Sequence, residues 1–345
     1  MKSYTVNVPD QTIAPIIKIL LTVSFAIILA GICYLVFISA FINPWLENNQ
    51  RELCVLNFYS QKNASAAPDV YFLGTSQMKE GLDCYRVEEG LKESGTSYNC
   101  YNLAVNADTP LRRLIELPDM IASKPETVVI GTDIRSMYSE GEIDPSRLML
   151  VSGRGFPDTT AINLFDAKQR EILNSDPFTR DISNRIYIVS WLNYMTLNKV
   201  TPNSFADYEY RNNFKNPFKD MRNLSQEEKM NNLDQFDPVN DTLFSRYYNG
   251  SKNKRALQHM VQELHNNSVR VIIINMPLDP LSSKKISDAT LDNYRSYVTA
   301  LGVPYYDFLN RYPSSSFFDT SHMNVEGRTA FSHDMAQVLA QEAGQ

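Results

Sequence analysis

Hydrophobic and polar positions divide this chain into one long apolar block and a series of short ones. From Ile19 to Ile42 the sequence reads "ILLTVSFAIILAGICYLVFISAFI", without a charged residue. About 20 apolar residues suffice to cross the hydrocarbon core of a bilayer. The run is longer than a typical cleavable signal core, and no clear A-x-A cleavage site follows it closely. It reads as an uncleaved transmembrane signal anchor over residues 19–42, with Tyr34 and Trp45 placed for the interface near its ends. Lys2 and Lys18 precede the span, whereas Arg51 follows it in the company of Glu47 and Glu52. That cation bias puts residues 1–18 in the cytoplasm and the remaining bulk outside.

Beyond the span, residues 43–68 are polar and end in "QKNASAAP", the pattern of an irregular juxtamembrane linker. A β/α rhythm then starts. "DVYFLG" (Asp69 to Gly74), "YNCYNLAV" (Tyr98 to Val105), "ETVVIG" (Glu126 to Gly131), "VRVIIINMP" (Val269 to Pro277) and "VPYYDF" are short apolar runs that predict buried strands. Between them, "RVEEGLKES", "PLRRLIELPDMIAS", "KNKRALQHMVQELHNN" and "ATLDNYRSYVTALG" carry helical spacing, and "NVEGRTAFSHDMAQVLAQEA" predicts a terminal helix. Strands alternating with helices predict an α/β domain over 69–345, a parallel sheet covered on both faces. The rhythm breaks over 138–250, which is too long for a simple loop and predicts a helical insertion over the strand ends. Its Tyr, Phe and Asn residues suit a lid, a sugar platform or a docking face; ordinary packing is the alternative.

Composition adjusts this picture only modestly. The chain has 345 residues, enough for one large domain with an insertion. With a net charge of -6 and no basic stripe, it gives no sign of a nucleic-acid partner. Cys33 falls inside the span; Cys84 and Cys100 bracket one predicted helix and are placed to bridge, Cys54 is an alternative partner, and free thiols are an equal reading. Sequons stand at Asn63, Asn223, Asn240, Asn249 and Asn266 and matter only in a glycosylating host.

Ligands of parallel sheets bind beyond the carboxyl ends of the strands. Ser76, in "LGTSQ", follows the first strand there, with its amide at a helix start where an anion is stabilised. A serine nucleophile needs a base. Of four histidines, His259 and His265 lie on a helix away from the strand ends, and His333 lies within the terminal helix. His322 alone sits in a loop after a strand, and Asp319 precedes it by three residues, close enough to orient its imidazole. Taken singly, Ser76 reads as a helix cap, Asp319 as a turn cap and His322 as a satisfied polar neighbour; together they read as nucleophile, orienting acid and base. No His/Cys/Asp cluster has metal-ligand spacing beyond that pair, and no Walker or dinucleotide glycine fingerprint occurs, so neither a metal nor a cofactor is expected.

With "FLGTSQM", "YNLAVNADT", "VVIGTD" and "FFDTSHMNVEG" in this order, the chain resembles the SGNH (GDSL-type) hydrolases over residues 69–137 and 269–340. Within them it looks most like the membrane-anchored DltD/AlgJ-like branch, which shares an N-terminal span and an Asp-x-x-His-(Leu/Met)-x-x-x-Gly ending. The resemblance implies a flavodoxin-like three-layer fold and an oxyanion hole built from the Ser76 amide and the second and third blocks. The family's usual Gly is replaced by Ala107, which keeps an amide, and its usual Asn by Asp133, whose carboxylate accepts but does not donate. Three arrangements would meet this: a protonated Asp133, Asp133 turned toward Arg135 or Arg112, or Asn106 as a substitute donor. The implied function is acyl transfer to or from a cell-surface polysaccharide or teichoic-acid-like acceptor, beside a membrane-bound O-acyltransferase. A non-catalytic SGNH-like scaffold and a glycan O-deacetylase are the alternatives.

Overall fold

A computed structural model of the protein describes residues 13–62, 67–134, 137, 143–153, 157–197, 213–217, 221–233 and 251–344. Among them, five strands form one parallel sheet: β1 Asp69–Leu73, β2 Asn99–Asn102, β3 Thr127–Thr132, β4 Arg270–Asn275 and β5 Tyr305–Asp307. Their order is β2-β1-β3-β4-β5, that of a flavodoxin-like sheet. Strand side chains alternate between faces. Val70 and Phe72 join Val129, Ile272 and Ile274 in one apolar cluster, closed by the helices Cys84–Glu93 and Val325–Ala343. Tyr71 and Leu73 join Val128, Ile130, Val271 and Ile273 in a second cluster on the other face, closed by Lys252–Asn266 and Asp288–Thr299. Burial on both faces is why β1, β3 and β4 read as unbroken apolar runs.

β1 pairs with β2 on one side and β3 on the other. The chain therefore leaves β1 in one direction and later returns on its far side. This reversal opens a crevice above the carboxyl end of β1. Gly74 turns the chain there: a Cβ on it would lie 2.9 Å from Met78 Cβ and 3.1 Å from the Gly131 carbonyl.

Two expectations change in detail. The helix expected over "PLRRLIELPDMIAS" is two, Pro110–Arg113 and Leu117–Ala122. Pro118 occupies the first turn of the second, where its missing N–H costs nothing, and it cannot continue a helix begun earlier. More consequentially, the irregular linker expected over residues 43–68 is mostly helical: Asn43–Asn49 and Arg51–Gln61 are helices. Leu46, Leu53, Val55, Leu56 and Tyr59 are buried in the same cluster as Tyr71 and Leu73 of the sheet. Arg51 donates to the carbonyls of Asn102 and Ala104 and lies 4.7 Å from the Phe214 ring centroid. Burial pulls its guanidinium down to about 10.

The apolar N-terminal run is a helix, Ile13–Phe37, continued by a π-helical turn, Ile38–Ile42. Ile19, Leu20, Leu21, Phe25, Ile27 and Ile28 are exposed along it. Among the described residues, this one helix is long and apolar enough to cross a membrane. Of the insertion, residues 143–153 and 157–197 hold short helices, including Pro145–Val151, Pro177–Ser183 and Ile188–Leu197. They meet the N-terminal segment rather than standing free: Asn43 donates to Asp181 at 2.9 Å and accepts from Asn184 at 2.8 Å. The aromatic stretch 205–212, Arg135 and the sequons at Asn63, Asn240 and Asn249 lie outside the described residues. Cys84 and Cys100 form a disulfide, tying the start of a helix to β2, while Cys33 and Cys54 are not disulfide-bonded.

Candidate active site

The residues after β1 form a tight turn into the helix Ser76–Gly81. Thr75 is the N-cap of this helix, accepting from the Gln77 amide at 3.3 Å. Ser76 is therefore released from capping, and its hydroxyl lies 2.8 Å from His322 Nε2. As the first residue of the helix, its N–H has no intrahelical acceptor.

His322 reaches this place on a loop after β5 that is pinned at both ends. Phe317 and Met323 make an antiparallel bridge, and the Phe318 amide donates to the His322 carbonyl at 3.0 Å. Asn324 caps the terminal helix through the Gly327 amide at 3.0 Å and donates to the Ser315 carbonyl at 2.7 Å. Gly327 is required at that point: a Cβ would sit 2.1 Å from the Ser316 carbonyl oxygen. Phe318 lies flat on the imidazole, with centroids 5.5 Å apart and planes 9° from parallel.

Asp319 Oδ2 is 2.8 Å from His322 Nδ1, and its Oδ1 accepts from the amides of Ser321 and His322, each at 2.7 Å. Burial pushes the carboxyl upward, but the imidazole and the two amides outweigh it and hold Asp319 below its usual value. An ionised carboxylate only accepts. Nδ1 therefore carries the proton, and Nε2 is left to accept from the Ser76 hydroxyl. The donor–acceptor chain runs Ser76, His322, Asp319, with the residues partly open to solvent.

Three supports had no signal in the sequence. Gln77, buried at 3% exposure, donates to the carbonyls of Pro277 and Ser321, joining the serine helix to the histidine loop. Lys229, from the insertion, is 4% exposed and donates to Asp279 at 3.0 Å and to the carbonyls of Ser314 and Phe317, both at 2.8 Å. Arg147, also from the insertion, donates to the carbonyls of Asn106 and Ala107 at 2.7 and 3.1 Å and to Glu52 at 2.6 Å. Glu52 stays below its usual value: burial opposes this, and Arg112 and Arg147 override it.

The oxyanion positions fall as follows. Asn106 and Ala107 are exposed on the loop after β2. Ala107 has φ 47°, a conformation that favours glycine. In a trans peptide the N–H points opposite the carbonyl. The grip of Arg147 on the Asn106 carbonyl thus turns the Ala107 N–H away from Arg147. Asp133 follows β3 and is 5% exposed. Burial first, then Tyr305 and the charge of Asp133, keep the Tyr294 phenol far above its usual value. Arg112 does not turn to Asp133: its terminal nitrogens hold Asp108 at 2.9 Å and Glu116 at 2.6 Å. Arg113 joins the same two acids and donates to the Leu103 carbonyl at 2.8 Å. This square of two cations and two anions fixes the loop from Leu103 to Asp108. Among the described residues, no three His, Cys, Asp or Glu side chains gather as a metal site would.

A doubly covered parallel α/β sheet with a hydrogen-bonded Ser–His–Asp chain at its switch point is the class this molecule defines. Comparison with known proteins adds the following. A family model whose description states no activity matches residues 182–343, just under half of the chain. A GDSL-like lipase from Bacteroides thetaiotaomicron is structurally similar at TM-score 0.35 and 12% identity, covering 84% of this chain and 98% of its own. A provisionally assigned acylhydrolase from Bacteroides fragilis is similar at TM-score 0.34 and 12% identity, covering 84% and 95%. No curated protein matches the chain by sequence.

Proposed function

We propose that the protein is a membrane-anchored serine acyltransferase or esterase, working outside the cytoplasm through an acyl-enzyme. The observation that carries this reading is the pair of 2.8 Å contacts joining Ser76 to His322 and His322 to Asp319. As Ser76 Oγ attacks an acyl carbonyl carbon, its proton passes to His322 Nε2. The imidazolium is stabilised by Asp319 and gives that proton to the departing alkoxide. An acceptor hydroxyl, or water, then loses its proton to the same nitrogen and attacks the acyl-serine, releasing the acylated product and restoring Ser76. The amides of Ser76 and Ala107 are the donors assigned to the tetrahedral oxyanion. The apolar helix supplies the anchor, and the Cys84–Cys100 bridge suits an oxidising compartment. The acceptor class, a cell-surface polysaccharide or teichoic-acid-like polymer, and the membrane-bound O-acyltransferase partner are drawn from the sequence resemblance.

The test is pre-steady-state turnover of an activated acyl ester. Wild type is expected to show a burst, and Ser76→Ala to lose about 10⁴–10⁶ in turnover. A burst that survives in Ser76→Ala would sink the proposal. Asp133 motivates a second reading, a scaffold that keeps the shape without the activity. Restoring a donor by Asp133→Asn separates the two: an impaired enzyme gains up to roughly 10²-fold, whereas a scaffold shows no burst in either form. Transfer and deacylation are told apart by whether added glycan or water takes the acyl group.

A further inference from the structure

The insertion carries a surface that the proposed chemistry does not use. From Ile186 to Leu197 the sequence "IYIVSWLNYMTL" has no charged residue, and Arg185 and Lys199 flank it. Most of it forms the helix Ile188–Leu197. An uncharged helix of this length ordinarily lies in a core. Here Ile186, Val189, Leu192 and Met195 are 55, 65, 46 and 45% exposed. The last three recur every third residue, which places them along one side of the helix. The run is too short to span a bilayer, which needs about 20 residues.

Its position says what covers it. Trp191 packs edge-on to Phe37, with centroids 5.4 Å apart, and lies 6.3 Å from Phe41. Both phenylalanines belong to the last turns of the apolar N-terminal run, which ends at Ile42. At about 1.5 Å of rise per residue, Phe37 and Phe41 lie within about 8 Å of that end. Trp191 therefore stands at the depth of the headgroup–acyl boundary, where in-plane helices rest and Trp and Tyr concentrate.

We propose that the helix Ile188–Leu197 is a second membrane contact, lying in the plane of the outer leaflet with Val189, Leu192 and Met195 in lipid. The proposal rests on the anchor reading of the N-terminal helix. With one spanning helix the domain is free to swivel about it; with two contacts its orientation above the bilayer is fixed.

The experiment uses the full chain in phosphatidylcholine vesicles whose acyl chains carry bromine, a short-range quencher of tryptophan fluorescence. The two native tryptophans are replaced, Trp45→Phe and Trp191→Phe, and one probe is introduced at a time. Phe25→Trp reports the spanning helix, Val189→Trp the proposed contact, and Glu93→Trp the solvent. Quenching at position 189 is expected to exceed that at 93 by about threefold or more, as for a side chain below the headgroups. Leu192→Trp reads the same surface and guards against a folding defect in the first probe. Quenching at 25 with none at 189 or 192 overturns the second contact and leaves the anchor standing; the surface would then belong to a protein partner. No quenching at 25 overturns the anchor, and the second contact with it.

Discussion

Ser76 and Gln77 are neighbours on one helical turn, yet only one was recognisable in advance. A serine after a strand and an Asp-x-x-His before a final helix carry chemical meaning by residue type and spacing. A glutamine does not, and Gln77 acquires its place only because its amide reaches the carbonyls of Pro277 and Ser321. The same holds for Phe318, whose stacking on His322 is fixed by a loop closure that spacing does not reveal. Asp319 is the residue whose behaviour is most tightly specified. Asp319→Asn is expected to lower turnover by about 10⁴, because Nδ1 loses the acceptor that sets the tautomer. Because the folded state holds this carboxyl below its ordinary value, its ionic contribution to stability is fully present above that ordinary value. That contribution is lost as pH falls through the lower folded value. Thermal unfolding of wild type and Asp319→Asn should therefore differ by a constant amount at neutral pH and converge in strong acid.

At the scale of elements, the β/α alternation was legible because the central strands β1, β3 and β4 are buried on both sides. The helix Arg51–Gln61 was not, and the reason is physical. Pattern reading sends charged residues to solvent, whereas Arg51 and Glu52 are both under 10% exposed, satisfied by carbonyls and by Arg147. A segment that buries its charges reads as a linker. Lys229 is a further case, on a short helix, Gln226–Leu233, that was expected only as part of an undifferentiated insertion. It holds the start of the histidine loop through two carbonyls and Asp279. Lys229→Met leaves Asp279 without its buried cation, and a loss of roughly 3–5 kcal/mol is expected in denaturant titration. Turnover should fall further than the folded fraction alone accounts for, since the loop also loses its tie.

At the scale of the whole molecule, two of the ties among the described residues that hold outer elements to the sheet stand out for testing. One is covalent: the Cys84–Cys100 bridge closes a loop of sequence separation 16. Removing it with Cys84→Ala and Cys100→Ala is expected to cost about 3 kcal/mol, by the chain-entropy account. Reductant should lower the melting temperature of wild type toward that of the double variant and leave the variant unmoved. The sequence offered this pairing beside Cys54, and residue spacing alone did not separate them. Burial of Cys54 on the juxtamembrane helix, with its thiol on the Glu47 carbonyl, was a tertiary fact.

The other tie is Arg147, gripping the Asn106–Ala107 loop on one side and Glu52 on the other. Glu52 follows Ile42, the end of the apolar run, by roughly 15–20 Å of mostly helical path. A catalyst on a slack tether samples a hemisphere of targets and meets whatever diffuses through it. Held by so short and well packed a strut, this one would work at a set altitude. If the proposed acceptor is a polymer growing away from the bilayer, the catalyst would address the segment passing that height and no other. The spacing of modifications would then follow the timing of polymer export, and not the reach of the protein.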